Sequence, residues 1–152
     1  SKVVYKMNNH EREILREIGA ITRCINSISD IKYKNINLQK GQFIFLIRVC
    51  ENPGINQRDL SKLLKVDKTT TAKAIQKLIG VGYIERKEDP VDKRMWRLYP
   101  LKKALEAYDY IIQEENRVNQ DYYNNFDKEE KNSLYEFLKK LRENIEEDWD
   151  KN

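Results

Sequence analysis

One histidine, His10, and two cysteines, Cys24 and Cys50, stand in a chain of 152 residues. There is no CxxC pair and no histidine cluster, so no zinc site is expected. Both cysteines lie inside apolar helical patterns, which is not the layout of a disulfide framework and points to a cytoplasmic setting. A Gly-rich phosphate loop is missing too, and a single histidine leaves little from which to assemble acid, base and nucleophile. No stretch approaches the roughly 20 apolar residues that a membrane span needs. The N-terminal segment lacks the apolar core of a signal peptide. No internal repeat and no low-complexity segment is found. These absences argue against an enzyme, a metalloprotein and a membrane protein, and no catalytic residue, metal ligand or cofactor is expected.

Charge, by contrast, is plentiful. Charged residues make up 36% of the chain and hydrophobic ones 39%, against a usual charged share of about a quarter. The net +4 is unevenly spread. Residues 39–100 carry a net +6, residues 101–152 a net −5, and residues 1–38 a net +3. A basic middle followed by an acidic end suits a phosphate-binding surface whose C-terminal part turns away from a polyanion.

Both ends of the chain read as long amphipathic helices. Ile14, Ile18, Ile21, Ile25 and Ile28 recur at spacings of four, three, four and three, one stripe of a helix over residues 9–28. Leu105, Tyr108, Ile112, Val118 and Tyr122 follow helical spacing further on. Asp127, with Glu130 three residues later, has the form of a capping box for a last helix. That helix repeats Leu134, Leu138, Leu141, Ile145 and Trp149. A chain of this size has little mass to cover three such stripes, so the terminal helices are expected to interleave with those of a second copy.

The middle is punctuated differently. Residues 39–50 form a short, almost wholly apolar helix, stopped by Asn52-Pro53-Gly54. Asn56 caps a helix ending at Leu64, with Leu60, Leu63 and Leu64 inward. After a tight break at Val66-Asp67, Asp67 caps a helix over residues 68–79 whose inward face is Ala72, Ile75, Leu78 and Ile79. Gly80-Val81-Gly82 ends it, and two strands follow, over residues 83–87 and 95–99, joined by a polar turn. The expected class is therefore mainly α (α+β), a winged helix-turn-helix.

This plan has a chemistry. The second helix of the pair must enter a major groove, so its exposed face needs short polar groups for base edges and cations for phosphates. Lys68, Thr69, Thr70, Thr71, Lys73, Gln76 and Lys77 are candidates there, with Gln57 at the head of the preceding helix. Three successive threonines are poor helix formers, which an exposed binding role explains better than stability does. Lys93 and Arg94 at the end of the hairpin turn can meet backbone or minor groove. Asp89 and Asp92 would orient the arginine or tie the wing down. Taken singly, each group also suits an ordinary solvated face or a capped surface turn.

In combination, residues 38–99 resemble the MarR family of bacterial multiple-antibiotic-resistance-type regulators. Leu38-Gln39-Lys40-Gly41-Gln42-Phe43 is similar to its apolar helix, and Gln57-Arg58-Asp59-Leu60 to its first helix-turn-helix segment. Asp67-Lys68-Thr69-Thr70-Thr71-Ala72-Lys73 resembles its recognition helix, and Gly82-Tyr83-Ile84-Glu85-Arg86 the start of its wing. Asp89-Pro90-Val91-Asp92-Lys93-Arg94 resembles its wing signature, with the Asp-x-Arg pair the most distinctive part. The resemblance implies a homodimer on double-stranded DNA with a pseudo-palindromic operator, repressing transcription, and release by a small-molecule effector or an oxidant. It divides the chain into a DNA-binding domain, 38–100, and dimerisation segments, 1–37 and 101–152. Tyr99-Pro100-Leu101 and Lys103-Ala104 depart from the family's usual Leu-Thr and Lys-Gly, and Pro100 is expected to open the next helix. Tyr108, Tyr110, Tyr122, Tyr123 and Phe126 could line an effector pocket or belong to a core or dimer interface. Neither cysteine has a clearly paired basic neighbour, so both read as packed thiols. A competing reading keeps the fold but binds only protein; it would not need Lys68, Thr69, Thr70, Lys73 and Arg94 on one side.

Overall fold

The computed structural model describes residues 9–151. Residues 1–8 and 152, at the outer ends of the expected dimerisation segments, lie outside the described residues. The described elements run in the order α1 (Asn9–Lys32), a 3-10 turn (Lys34–Ile36), α2 (Gln42–Glu51), α3 (Gln57–Leu64), α4 (Lys68–Gly80), β1 (Ile84–Glu88), β2 (Trp96–Pro100), α5 (Lys102–Tyr122) and α6 (Lys128–Asp150). The architecture is mainly helical with a small two-stranded antiparallel sheet. Two compact units divide after Asp109, within α5.

In the first unit the apolar residues of the basic middle close over one another. Leu38, Leu46, Val49, Leu60, Ile75, Leu78, Ile84 and Leu98 are fully buried. They come from the loop before α2 and from α2, α3, α4, β1 and β2, and α2 packs against α3, α4 and β2. Leu63 departs from expectation: it is 43% exposed, because the eight-residue α3 turns only its Leu60 and Ser61 fully inward.

The joints follow from individual residues. α1 runs on to Lys32, four residues past the apolar stripe, and Tyr33 just beyond it packs against Phe43 with ring centroids 5.1 Å apart. Asp30, on the last turn of α1, accepts a hydrogen bond from the Lys40 backbone N–H (2.7 Å). α2 begins at Gln42 rather than at residue 39, because Lys40 and Gly41 have φ of 55° and 75°, which a right-handed helix cannot include. Asn56 caps α3 by accepting from Asp59 N–H (2.8 Å), and Lys65 ends that helix in the left-handed region. Asp67 caps α4 by accepting from Thr70 N–H (2.7 Å).

β1 and β2 pair with Ile84 opposite Pro100 and Glu88 opposite Trp96. Pro100 thus closes β2 instead of opening α5, and it sits at the strand end, where a missing N–H interrupts no inner ladder. Leu101 N–H then donates to the Tyr83 carbonyl (2.9 Å). On its other edge β2 meets the α2–α3 loop. Gly54 N–H donates to the Leu98 carbonyl, and Leu98 N–H donates to the Ile55 carbonyl. Gly54 has φ +90° there, a conformation that side-chain-bearing residues rarely adopt, and a Cβ would lie 3.4 Å from the Tyr99 hydroxyl.

The hairpin turn is organised by Asp89, which is buried. One carboxylate oxygen accepts from the backbone N–H of Val91 (2.8 Å) and Asp92 (2.9 Å). The other pairs with Arg97 Nε at 2.5 Å, and Arg97 Nη1 donates to the Gly54 carbonyl (2.8 Å). These bonds favour the charged carboxylate. The Asp92 amide, the Arg97 side chain and the Val91 amide hold it well below its ordinary 3.8, at about 2.

The second unit contains the C-terminal part of α5 and all of α6. Asp127 and Glu130 form the expected capping box, with Asp127 accepting from Glu130 N–H (2.7 Å) and Glu130 accepting from Asp127 N–H (3.1 Å). Tyr123 and Phe126 meet edge to face at 6.1 Å in the turn before it.

Two stability tests follow. Leu98→Ala empties a site at the junction of β2 with α2 and α3 and should cost about 2–5 kcal/mol in urea denaturation; Leu63→Ala, at an exposed position, should cost far less. Asp89 is the pH probe. Its unfolded carboxyl takes up a proton near 3.8 and its folded one only near 2, so its contribution is complete above pH 3.8 and is lost as pH falls through about 2. The stability gap between wild type and Asp89→Asn should therefore be constant near neutrality and close over that acid window. A gap that does not change with acidification would remove Asp89 as the wing's anchor.

Candidate nucleic-acid interface

α4 carries two opposed faces. Thr71, Ala74, Ile75 and Leu78 are buried. Lys68, Thr69, Thr70, Lys73, Gln76 and Lys77 are exposed. Thr69, Lys73, Gln76 and Lys77 stand at i, i+4, i+7 and i+8, so they share one stripe. The inward face is rotated from the expected one. Ile75 and Leu78 are common to both, but Thr71 and Ala74 are buried, while Ala72 and Ile79 are only half-buried.

Thr71 is accordingly not available to DNA. It lies one turn before Ile75 on the core face, is fully buried, and its hydroxyl donates to the Asp67 carbonyl (2.9 Å), so no polar atom is left without a partner. Thr70 is exposed, but its hydroxyl donates to the Asp67 carboxylate (2.8 Å), which makes it part of the cap as well as part of the surface. The Thr70 amide, then the Thr70 hydroxyl, keep the Asp67 carboxyl below its ordinary range. Of the three threonines, Thr69 is the one left with an exposed side chain outside the cap network.

The wing places its expected residues on a solvated edge. Lys93 and Arg94 are exposed, the Arg94 side chain almost completely, at 93%. Asp92 accepts from both the backbone N–H of Arg94 (3.1 Å) and its Nε (3.4 Å). Asp89 has a different partner, Arg97, and so acts on the base of the wing and not on Arg94. Arg97 escaped notice in the sequence. The only hint was its place between Trp96 and Leu98 in an alternating strand, which does not say which carboxylate it will meet.

Gln57 is half-buried, and its side-chain oxygen accepts from Arg86 Nη2 (3.1 Å) across from α3 to β1. Arg86 is a second residue not singled out from the sequence. With Asn56, Gln57, Arg58, Asp92, Arg94, Met95 and Trp96 it lines an open cleft of about 640 Å³ between the head of α3 and the wing.

Of the two cysteines expected to be packed, Cys50 is partly so and Cys24 is not. Cys50 is half-buried and its thiol is pushed up to about 11, first by burial and then by the nearby Glu51 and Asp109 carboxylates, so it carries no thiolate at neutral pH. Cys24 is exposed in the single chain. Tyr108 donates to Glu51 Oε2 (3.0 Å), and Tyr110, Tyr122, Tyr123 and Phe126 are exposed. Among the described residues no group of three or more potential metal ligands occurs, and no helix is long and apolar enough to cross a membrane.

Known proteins share this arrangement. The profile of the MarR family matches residues 35–95. An uncharacterised HTH-type transcriptional regulator of Bacillus subtilis, YybA, is 40% identical over 91% of this chain and 92% of its own length. The solved structure of a MarR protein from Peptoclostridium difficile superposes with a TM-score of 0.88 at 50% identity, covering 99% of this chain and 97% of that one. A MarR-type regulator from Listeria monocytogenes, solved with a 26mer DNA, superposes at 0.86 with 44% identity, covering 89% and 90% of the two chains. With a winged helix-turn-helix of this geometry and relatives this similar over nearly its whole length, the chain belongs to the MarR family of transcriptional regulators.

Proposed function

We propose that the protein is a cytoplasmic homodimeric repressor that binds a pseudo-palindromic operator in double-stranded DNA and is released by a small-molecule effector. The observation that carries DNA binding is the exposed polar stripe of α4 in the same compact unit as the cationic wing edge. Lys68, Thr69, Lys73, Gln76 and Lys77 would face the major groove. Lys93 and Arg94 would meet the adjoining backbone or minor groove, with Asp92 orienting Arg94. The DNA-bound Listeria relative supports this reading.

Dimerisation rests on apolar faces that a single chain leaves in solvent. On α1, Ile14, Ile21, Ile25 and Ile28 are 41–55% exposed, with Ile18 half-buried. On α6, Leu134, Leu138 and Ile145 are 38–50% exposed, with Leu141 half-buried. Stripes of this regularity are covered by other helices, and a second copy presents the same surface, as a two-fold interface requires. Residues 1–37 and 101–152 would then be the dimerisation segments and residues 38–100 the DNA-binding domain. A dimer sets its two α4 helices against two half-sites about one helical turn or a multiple apart. Occupation of such a site excludes the transcription machinery without any further activity of the regulator.

Two experiments test this reading. Salt titrations on an operator selected from a randomised library, and on a random duplex, separate the contact classes. Thr69→Ala should lose about 1–3 kcal/mol on the operator and little on the random duplex. Arg94→Ala should weaken both and flatten log K against log salt by about one unit, and Asp92→Ala should reproduce part of that defect. Wild-type affinity of Arg94→Ala at every salt concentration would bring forward a winged helix that binds only protein. For the dimer, light scattering should give twice the chain mass for wild type, and Leu138→Asp should dissociate or unfold it by burying an unpaired charge; a stable wild-type monomer at micromolar concentration would exclude the interface.

A further inference from the structure

Trp96 has no role in the reading above. It is 49% exposed at the start of β2, opposite Glu88, and among the described residues its indole N–H has no hydrogen-bond partner. It lines the cleft at the head of α3 and also a second concave surface formed with Gln76 and Ile79 of α4. Its side chain shares a face of the hairpin with Leu98, two residues on, but where Leu98 is buried the indole stays half in water.

Its neighbours specify what it could meet. Among the described residues Arg86 is held by the neutral side chain of Gln57 and by no carboxylate, and Arg58 is exposed and likewise without a carboxylate partner. Arg94 flanks them on the wing. The cleft thus offers three guanidinium groups around an apolar ring plate, with one carboxylate, Asp92, that already pairs with Arg94. A free phosphate would use the cations and leave the indole wet, and a purely apolar ligand would leave the cations uncompensated. A sugar–phosphate backbone has both an apolar sugar face and charged oxygens.

Resting on the DNA-binding reading, we infer that this cleft seats the backbone of the duplex strand between the groove read by α4 and the groove met by the wing. Trp96 packs against a deoxyribose, Arg58 and Arg86 hold the flanking phosphates, and Gln57 positions Arg86 and makes no base contact. Because backbone contacts carry no sequence information, the contribution is the same on every duplex.

The test uses the full chain with the library-selected operator and a random duplex. Addition of either DNA should change wild-type tryptophan emission, and the change should vanish in Trp96→Phe, which leaves Trp149 as the only tryptophan. Trp96→Ala should weaken both duplexes about equally, by roughly tenfold, while Trp96→Phe keeps most of the affinity. Arg58→Gln and Arg86→Gln should each flatten the salt slope by about one unit. Thermal melts establish that each variant is folded; should Trp96→Ala not fold, the emission change and the two arginine variants decide. Operator binding by wild type with unchanged emission and unaltered salt slopes in the arginine variants would overturn the inference and leave DNA binding intact. A loss confined to the operator would make these base contacts and also overturn it. Failure of wild type to bind either duplex would instead remove the DNA-binding reading, and the inference with it.

Discussion

The guanidinium of Arg97 is the joint on which the proposed DNA-facing surface depends. It pairs with Asp89 in the hairpin turn and donates to the Gly54 carbonyl in the α2–α3 loop. Asp89 in turn accepts the two amides that shape the turn. One planar group with donors in a fixed fork therefore sets the wing against the helical part of its unit. Asp89 is buried and Arg97 only partly exposed, so removing either partner leaves a charge in a poorly solvated place. Beside this joint, the hydrogen bonds of Gly54 and Ile55 with Leu98 cover the edge of β2 that β1 leaves open. Trp96 and Arg86 stand on that strand and its partner, and Arg94 in the turn that joins them.

α4 shows how binding and stability share one short helix. Its head must be capped, and Asp67 does this with both carboxylate oxygens, one to the Thr70 amide and one to the Thr70 hydroxyl. The carboxylate also answers the positive end of the helix dipole, so in the proposed complex the attraction for phosphate falls to the cations of the exposed stripe and not to the dipole. The run of three threonines then divides by geometry. Thr70 completes the cap, Thr71 fills the core with its hydroxyl returned to its own helix, and Thr69 is left to the surface. A residue type that weakens a helix is tolerated at three places for three separate reasons.

Apolar stripes on α1 and α6 make the opposite demand. Their residues are well patterned yet exposed in a single chain, which is the observation the proposed dimer rests on. The basic balance of residues 39–100 fits the proposed contact with a polyanion, and the acidic balance of residues 101–152 fits a part that turns away from one.

Much was legible before any coordinates. Periodicity located the helices, and the caps at Asn56, Asp67 and Asp127 needed only a side-chain oxygen at the right offset from a backbone N–H, a contact between residues three apart. The helix–break–helix–hairpin order and the basic stripe of α4 are likewise local properties of the chain. Other features were beyond its reach. The true inward face of α4 includes Thr71 because α2 and α3 lie on that side, and a threonine reads as polar until its hydroxyl is seen to be satisfied within its own helix. The start of α2 moved because two residues took left-handed backbone conformations that composition does not demand of Lys40. Arg97 with Asp89 and Gly54, and Arg86 with Gln57, join residues from 8 to 43 positions apart. By itself the sequence determined which segments are helical, which residues cap α3, α4 and α6 and which stripe is charged, because those depend on neighbours within a turn. Only the tertiary structure decided which carboxylate each arginine meets and which threonine faces water, because those depend on chain segments brought together by burial of the core.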